Sequence, residues 1–220
     1  MTNEKRILYI LLILLVLFVG ILVLRLTLTN LAIKDHEQYL TGLQGGAEES
    51  QLSEPIIRPT DPFIGANKPE ITIVAFENFT CFYCAQERAI FKELLEKYPD
   101  KVKIIWKDFV STLDQKGFRA SIAARCAQSQ GRFWEFHDAI FANQTSLSDS
   151  YYKEIAVNLG LDQNRFTKCF EDQETLAMVT GSFNEGLALG VDATPYLFIN
   201  NQRVSGFTSF VELEEAIHNY

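Results

Sequence analysis

Two cysteines three residues apart, Cys81 and Cys84, stand between two apolar runs of different character. The run before them, Ile71-Thr-Ile-Val-Ala-Phe76, is β-branched and strand-like, whereas Ala85 to Tyr98 sets Ala89, Ile90, Phe91, Leu94 and Leu95 at helical spacing. A strand that delivers two thiols to a helix N-terminus builds a reactive site. The unpaired N–H groups and partial positive charge of that end stabilise a thiolate on the first cysteine. The second lies one turn later, within reach for a disulfide. The chemistry expected is thiol–disulfide exchange at Cys81 and Cys84.

Four cysteines allow three pairings, and the local Cys81–Cys84 pair leaves Cys126 with Cys169. Three readings of that second pair stand side by side: a structural staple, a second redox pair, or two buried thiols. As a staple it would stabilise by about 4 kcal/mol in the chain-entropy account. A structural zinc site at Cys81 and Cys84 would need a second cysteine or histidine pair at close spacing, which Cys126 and Cys169 do not supply. No metal and no organic cofactor is expected. The net charge of −8 argues against a nucleic-acid partner.

The elements that must position these residues follow from periodicity. Strands are predicted over 71–77 and Val102–Lys107, with a helix over 82–97 between them. From Gln115 to Leu189 the pattern is helical, punctuated by Gly131, Gly160 and Gly181 and by the polar break Asn143–Ser150. Short strands at Tyr196–Ile199 and Gln202–Val204 flank Asn200-Asn201. A last helix begins at Ser209, with Glu212 completing a capping box. Phe133, Trp134, Phe136, Ile140 and Phe141 read chiefly as core, and His137 among them as a packing or surface histidine. The order β-α-β, helices, β-β-α predicts an α/β fold of thioredoxin type with an inserted helical subdomain over about 112–190.

Residues 7–24 carry no charge, follow Lys5 and Arg6, and approach the length of a membrane span. They predict an N-terminal transmembrane helix, an uncleaved signal-anchor within 1–33, with the rest of the chain exported by the positive-inside tendency. Residues 34–60, rich in glycine and polar residues and then proline, read as a flexible linker. The folded domain is expected over 61–220, on the periplasmic or extracellular side of a cytoplasmic membrane.

With these residues in place, the chain resembles the DsbA-type thiol–disulfide oxidoreductases from about Asp61 to Tyr220. The motifs are Asp61-Pro62-x-x-Gly65, Phe76-Glu-Asn-Phe-Thr-Cys-Phe-Tyr-Cys84, Ala123-Ala-Arg-Cys-Ala127, Gly131-Arg-Phe-Trp-Glu-Phe-His-Asp138 and Gly190-Val-Asp-Ala-Thr-Pro-Tyr-Leu-Phe-Ile-Asn200. The resemblance implies Cys81 as exposed nucleophile, Cys84 as buried resolving thiol, and a cis Pro195. Thr194 before it would bind an extended substrate chain through its backbone. Phe82 and Tyr83 complete the expected substrate-contacting set.

The chain departs from the family twice. Phe82-Tyr83 lacks the proline and histidine of strong oxidants, which implies a less oxidising couple. Ala75 replaces the buried carboxylate usual six residues before the nucleophile. Glu77, on the same strand face, is the candidate stand-in for proton transfer, against a plainer reading as a solvated strand-end carboxylate. Lys107 reads equally as a partner for Glu77, a source of local positive potential, or a solvated strand-end lysine. The expected activity is a membrane-anchored oxidoreductase, chiefly a disulfide-forming oxidase, acting on exported cysteine-containing proteins. A DsbB-like membrane partner would reoxidise it. The alternatives are a reductase or isomerase, and a chaperone-like binding module with incidental cysteines.

Overall fold

The run Ile71–Glu77 forms β2, the central strand of a five-stranded sheet, in a computed structural model that describes residues 52–200 and 202–218 together with Val19, Gly20 and Arg25. Its apolar side chains alternate between two cores. Ile71, Ile73 and Ala75 face Phe91 and Leu94 of α1 (Phe82–Lys97) and Leu213 and Ile217 of α7 (Phe210–His218). Val74 and Phe76 point the other way, onto Leu189, Val191 and Phe198. A strand buried on both faces needs a nearly continuous apolar run, and this one has it.

The sheet order is β1-β3-β2-β4-β5, with β1 at Phe63–Gly65, β3 at Val102–Asp108, β4 at Tyr196–Ile199 and β5 at Gln202–Ser205. β2 and β3 are parallel and joined through α1, while β4 and β5 add an antiparallel hairpin. Between β3 and β4 lie the inserted helices: α2 (Gln115–Gln128), α3 (Phe133–Ala142), α4 (Asp149–Asn158), α5 (Gln163–Phe170) and α6 (Gln173–Ala188). Their core joins the sheet through Trp106, which stacks on Phe79 at 4.7 Å. Cys126 of α2 and Cys169 of α5 form a disulfide with Cα atoms 5.6 Å apart, so the second pair staples two inserted helices.

The α/β order predicted from sequence is the order observed, with one strand added. β1 escapes periodicity because it is three residues long and exposed. It pairs antiparallel with β3 and ends at Gly65, whose φ of +101° suits glycine. The sequence-predicted boundary at Asp61 also needs correction. Residues 52–60 pack on the domain: the Ile56 N–H donates to Glu185 Oε1 (2.9 Å), and the Arg203 guanidinium donates to the Leu52 and Ser53 carbonyls. Arg125 and Gln128 both donate to the Thr60 carbonyl. Composition read this segment as linker because its bonds run through backbone, which composition cannot report. The expected transmembrane helix over 7–24, and linker residues 34–51, lie outside the described residues but for Val19 and Gly20. Among the described residues no helix is long and apolar enough to cross a membrane.

Candidate active site

Cys81 is the N-cap of α1, with extended backbone (φ −75°, ψ 121°). Its sulfur accepts the Cys84 N–H at 3.1 Å, so the cap position that serine or aspartate usually fills is held by the thiol that reacts. The two cysteines are joined as a disulfide, Cα atoms 5.3 Å apart. Cys84 is fully buried and Cys81 is partly exposed, which leaves one sulfur open to attack.

The Thr194–Pro195 bond is cis. This loop brings the Thr194 carbonyl to 3.4 Å from Cys81 Sγ. The Pro195 carbonyl accepts the Gly206 N–H at 2.9 Å, which ties the loop to the segment after β5. Phe82 and Tyr83 are 64% and 54% exposed, and the Tyr83 ring lies 6.0 Å from the partly exposed Phe207. Exposed aromatics beside an exposed sulfur make an apolar apron for an unfolded chain.

A pair of buried carboxyls joins the end of β2 to α1, on which Glu87 follows Cys84 by three residues. Glu77 closes β2 and is buried, not solvated as the plainer reading held. Facing it is Glu87, which falls on the Cys84 side of α1 three residues on and is also fully buried. Burial, then the opposing Glu87 carboxyl, pushes the Glu77 carboxyl well above the usual range. Burial pushes Glu87 up to about 8, against smaller opposing contributions from Glu77 and the Thr208 backbone. Glu77 Oε1 and both Glu87 oxygens lack a partner at normal hydrogen-bond geometry. Such a pair holds protons at neutral pH and releases them at a nearby demand.

The same pair makes stability depend on pH. An unfolded glutamate ionises near pH 4.3, whereas folded Glu87 keeps its proton to about pH 8. The folded state therefore binds more protons across that window, and stability falls as pH rises through it. Glu87→Gln is expected to remove the Glu87 share of this slope. Urea unfolding should find the variant more stable by on the order of 2–4 kcal/mol at pH 9 and unchanged at pH 4.

Lys107 does not join Glu77. In the parallel register Phe76 pairs with Lys107 and Glu77 with Asp108, so the Lys107 side chain leaves the opposite face. There it is fully buried, 2.7 Å from Asp61 Oδ2 and 3.2 Å from Glu185 Oε1, and donates to the Ile56 carbonyl. Arg58 pairs with the same Glu185. On the Glu77 side Asp108 accepts from Trp106 Nε1 (2.9 Å) and Arg125 Nε (2.7 Å). His137 is buried among Trp106, Phe79 and Phe141, and burial lowers its basicity, which fits a packing role.

Sequence reasoning missed the residues that the insertion sends back to the active-site loop. Gln144 Nε2 donates to the Phe79 and Cys81 carbonyls, both at 2.9 Å. Asp114 accepts from Asn78 and Thr80. Glu87 reads in sequence as an ordinary helix-surface glutamate; its spacing from Cys84 was the available signal.

A family model described as thioredoxin matches residues 58–219. The chain is 29% identical over 175 residues to Na(+)/H(+) antiporter NhaA 3 of Salinispora tropica, covering 78% of this chain and 27% of that protein. It is 27% identical over 165 residues to NhaA of Herminiimonas arsenicoxydans, covering 73% and 26%. The chain thus spans about a quarter of the length of the curated relatives it matches. Among solved structures, the thiol-disulfide exchange protein α-DsbA2 from Wolbachia pipientis superposes with a TM-score of 0.69 at 24% identity, over 78% of this chain and 94% of that one. BdbD from Bacillus subtilis, oxidised, gives 0.69 at 18% identity, over 76% and 95%. These structural likenesses are of fold. With its CxxC motif at a helix N-terminus, opposite a cis proline, the chain belongs to the thioredoxin family and has the DsbA-like form of its fold.

Proposed function

We propose that this chain is a membrane-anchored thiol–disulfide oxidoreductase that forms disulfides in exported proteins. The observation that carries the reading is the Cys81–Cys84 disulfide at the α1 N-terminus, with one sulfur exposed, one buried, and the Thr194 carbonyl beside the exposed one. A substrate thiolate attacks Cys81 Sγ, the Cys81–Cys84 bond breaks, and Cys84 leaves as a thiolate. The Glu77/Glu87 pair supplies the proton that neutralises this buried anion. A second substrate thiolate attacks the substrate sulfur of the mixed disulfide. Cys81 leaves as a thiolate, stabilised by the Cys84 N–H and the helix end. Two electrons pass from substrate to the pair, and a membrane oxidase of the DsbB kind is the proposed acceptor.

Phe82, Tyr83 and Phe207 bind apolar side chains flanking the substrate cysteine, while the Thr194 backbone aligns the extended chain. The anchor over residues 7–24 holds the domain on the exported side. The transport activity in the curated relatives' names is not proposed for this chain, because the site described here is equipped for sulfur chemistry.

A redox titration tests the reading. The full chain is equilibrated in glutathione buffers, trapped by alkylation, and its two cysteine pairs are read separately by mass spectrometry. A Cys81–Cys84 potential nearer about −120 mV than about −270 mV is expected, and the lower value would make the protein a reductase. A pair that never forms a disulfide sinks the redox reading in favour of a binding module. Resistance of the chain to alkaline extraction from membranes tests the anchor.

A further inference from the structure

Two of the three residues before Cys81 are gripped by an acidic residue from outside the strand–helix unit. Asp114 Oδ2 accepts from Thr80 Oγ1 at 2.5 Å and from Asn78 Nδ2 at 3.0 Å. Asn78 in turn accepts the Thr80 N–H through its side chain (3.1 Å) and the Cys81 N–H through its carbonyl (2.9 Å). The other Asp114 oxygen caps α2 by accepting the Gly117 N–H at 3.0 Å. Gly117 is what allows so close an approach, since a Cβ there would run into Asn78 Oδ1 and Asp114 Oδ2. One carboxylate therefore ties the first turn of the insertion to the loop that presents Cys81. Burial alone would raise this carboxyl, but donors from Thr80, Asn78 and the Gly117 and Lys116 N–H groups outweigh it and hold it ionised.

A permanent negative charge at this place opposes what the helix end does for Cys81. The α1 N-terminus favours a thiolate, and a neighbouring anion disfavours one. Its partners are neutral donors, and among the described residues no lysine or arginine ion-pairs with it. Glu77 and Glu87 hold their protons, Arg119 is paired with Asp149, and the Tyr152 phenol, whose burial keeps it neutral, donates to the Lys116 carbonyl. Lys116 itself shows its N–H to Asp114.

We propose that Asp114 is a positioning residue that tunes the redox pair: it fixes the Asn78–Thr80 loop and, by its charge, keeps Cys81 less acidic and the couple less oxidising. The inference rests on the thiol–disulfide reading above. It gives the insertion a role in setting how strongly the site oxidises, beyond its role in packing.

The test is Asp114→Asn, with Asp114→Ser beside it. Both residues cap helices as well as aspartate does, so α2 keeps its start, and neither carries charge. In the full-length reduced protein, thiolate absorbance against pH gives the Cys81 acid constant, and glutathione titration gives the equilibrium constant of the pair. Both variants are expected to raise the acid constant by about threefold and to shift the equilibrium towards the reduced form by up to the same factor. The difference from the native protein should shrink in 1 M salt, where charges screen over about 3 Å. A merely structural role would leave that salt dependence unmoved. Native constants in both variants, or a shift the other way, overturn the proposal. A native pair that never cycles overturns instead the reading on which it rests.

Discussion

Replacing Cys81 with serine is expected to reduce thiol–disulfide exchange to the level of buffer alone, without unfolding the domain. Serine keeps an acceptor at the α1 N-cap, where the Cys84 N–H now meets sulfur, so the helix start survives. What is lost is the only sulfur of the pair that a substrate reaches, because Cys84 is fully buried. Oxidation of a dithiol peptide, followed by fluorescence or alkylation, checks this directly. The companion Cys84→Ser variant separates attack from resolution. It retains the exposed nucleophile but not the resolving thiol, so mixed disulfides with substrate should accumulate at Cys81 and run as reductant-sensitive adducts. If the Cys81→Ser protein processes substrate at the native rate, the cysteines are incidental and the oxidoreductase reading fails.

The second large effect lies away from the chemistry. Lys107→Met is expected to destabilise the domain by about 3–5 kcal/mol, because removing one member of a buried ion cluster leaves its partners uncompensated. Asp61 loses its ammonium at 2.7 Å, and Glu185 keeps the half-exposed Arg58 as a cation beside the Ile56 N–H. Methionine fills nearly the same volume, so the loss is electrostatic. Urea unfolding at about pH 7.5 measures the loss. The chain N-terminal to Asp61 should also become more sensitive to protease, since Lys107 donates to the Ile56 carbonyl.

The strand–cysteine–helix unit was legible to the residue. Its bounds, 71–77 and 82–97, coincide with those observed because a doubly buried strand and an amphipathic helix each leave a strong local period. The hairpin and the last helix were legible for similar reasons, and Ser209 and Glu212 do exchange the bonds of a capping box. Long-range placement was not. Lys107 looked like a partner for Glu77, and only the β2/β3 register shows that the two leave opposite faces. Glu77 was found on the strand-face argument, but its buried partner Glu87 was not, because its position in a charged helix hides it. Asp114 stands just ahead of the predicted helical stretch, and Gln144 lies in the polar break Asn143–Ser150. Their partners, Thr80 and the Phe79 and Cys81 carbonyls, are more than thirty residues earlier in the chain. Residues 52–60 were read as linker because, the Arg58 pair with Glu185 aside, their attachment is made by backbone amides and carbonyls, which every residue carries.

That attachment has a mechanical consequence. Tension applied to the chain ahead of Leu52 would first reach the Arg203 bonds to the Leu52 and Ser53 carbonyls, then the clamp of Glu185 and Lys107 on Ile56. Glu185 belongs to α6, and the chain from α6 runs directly into Thr194 and Pro195. A pull on the N-terminal segment would therefore be felt at the loop facing Cys81 before it reached the cysteines through β1 and β2.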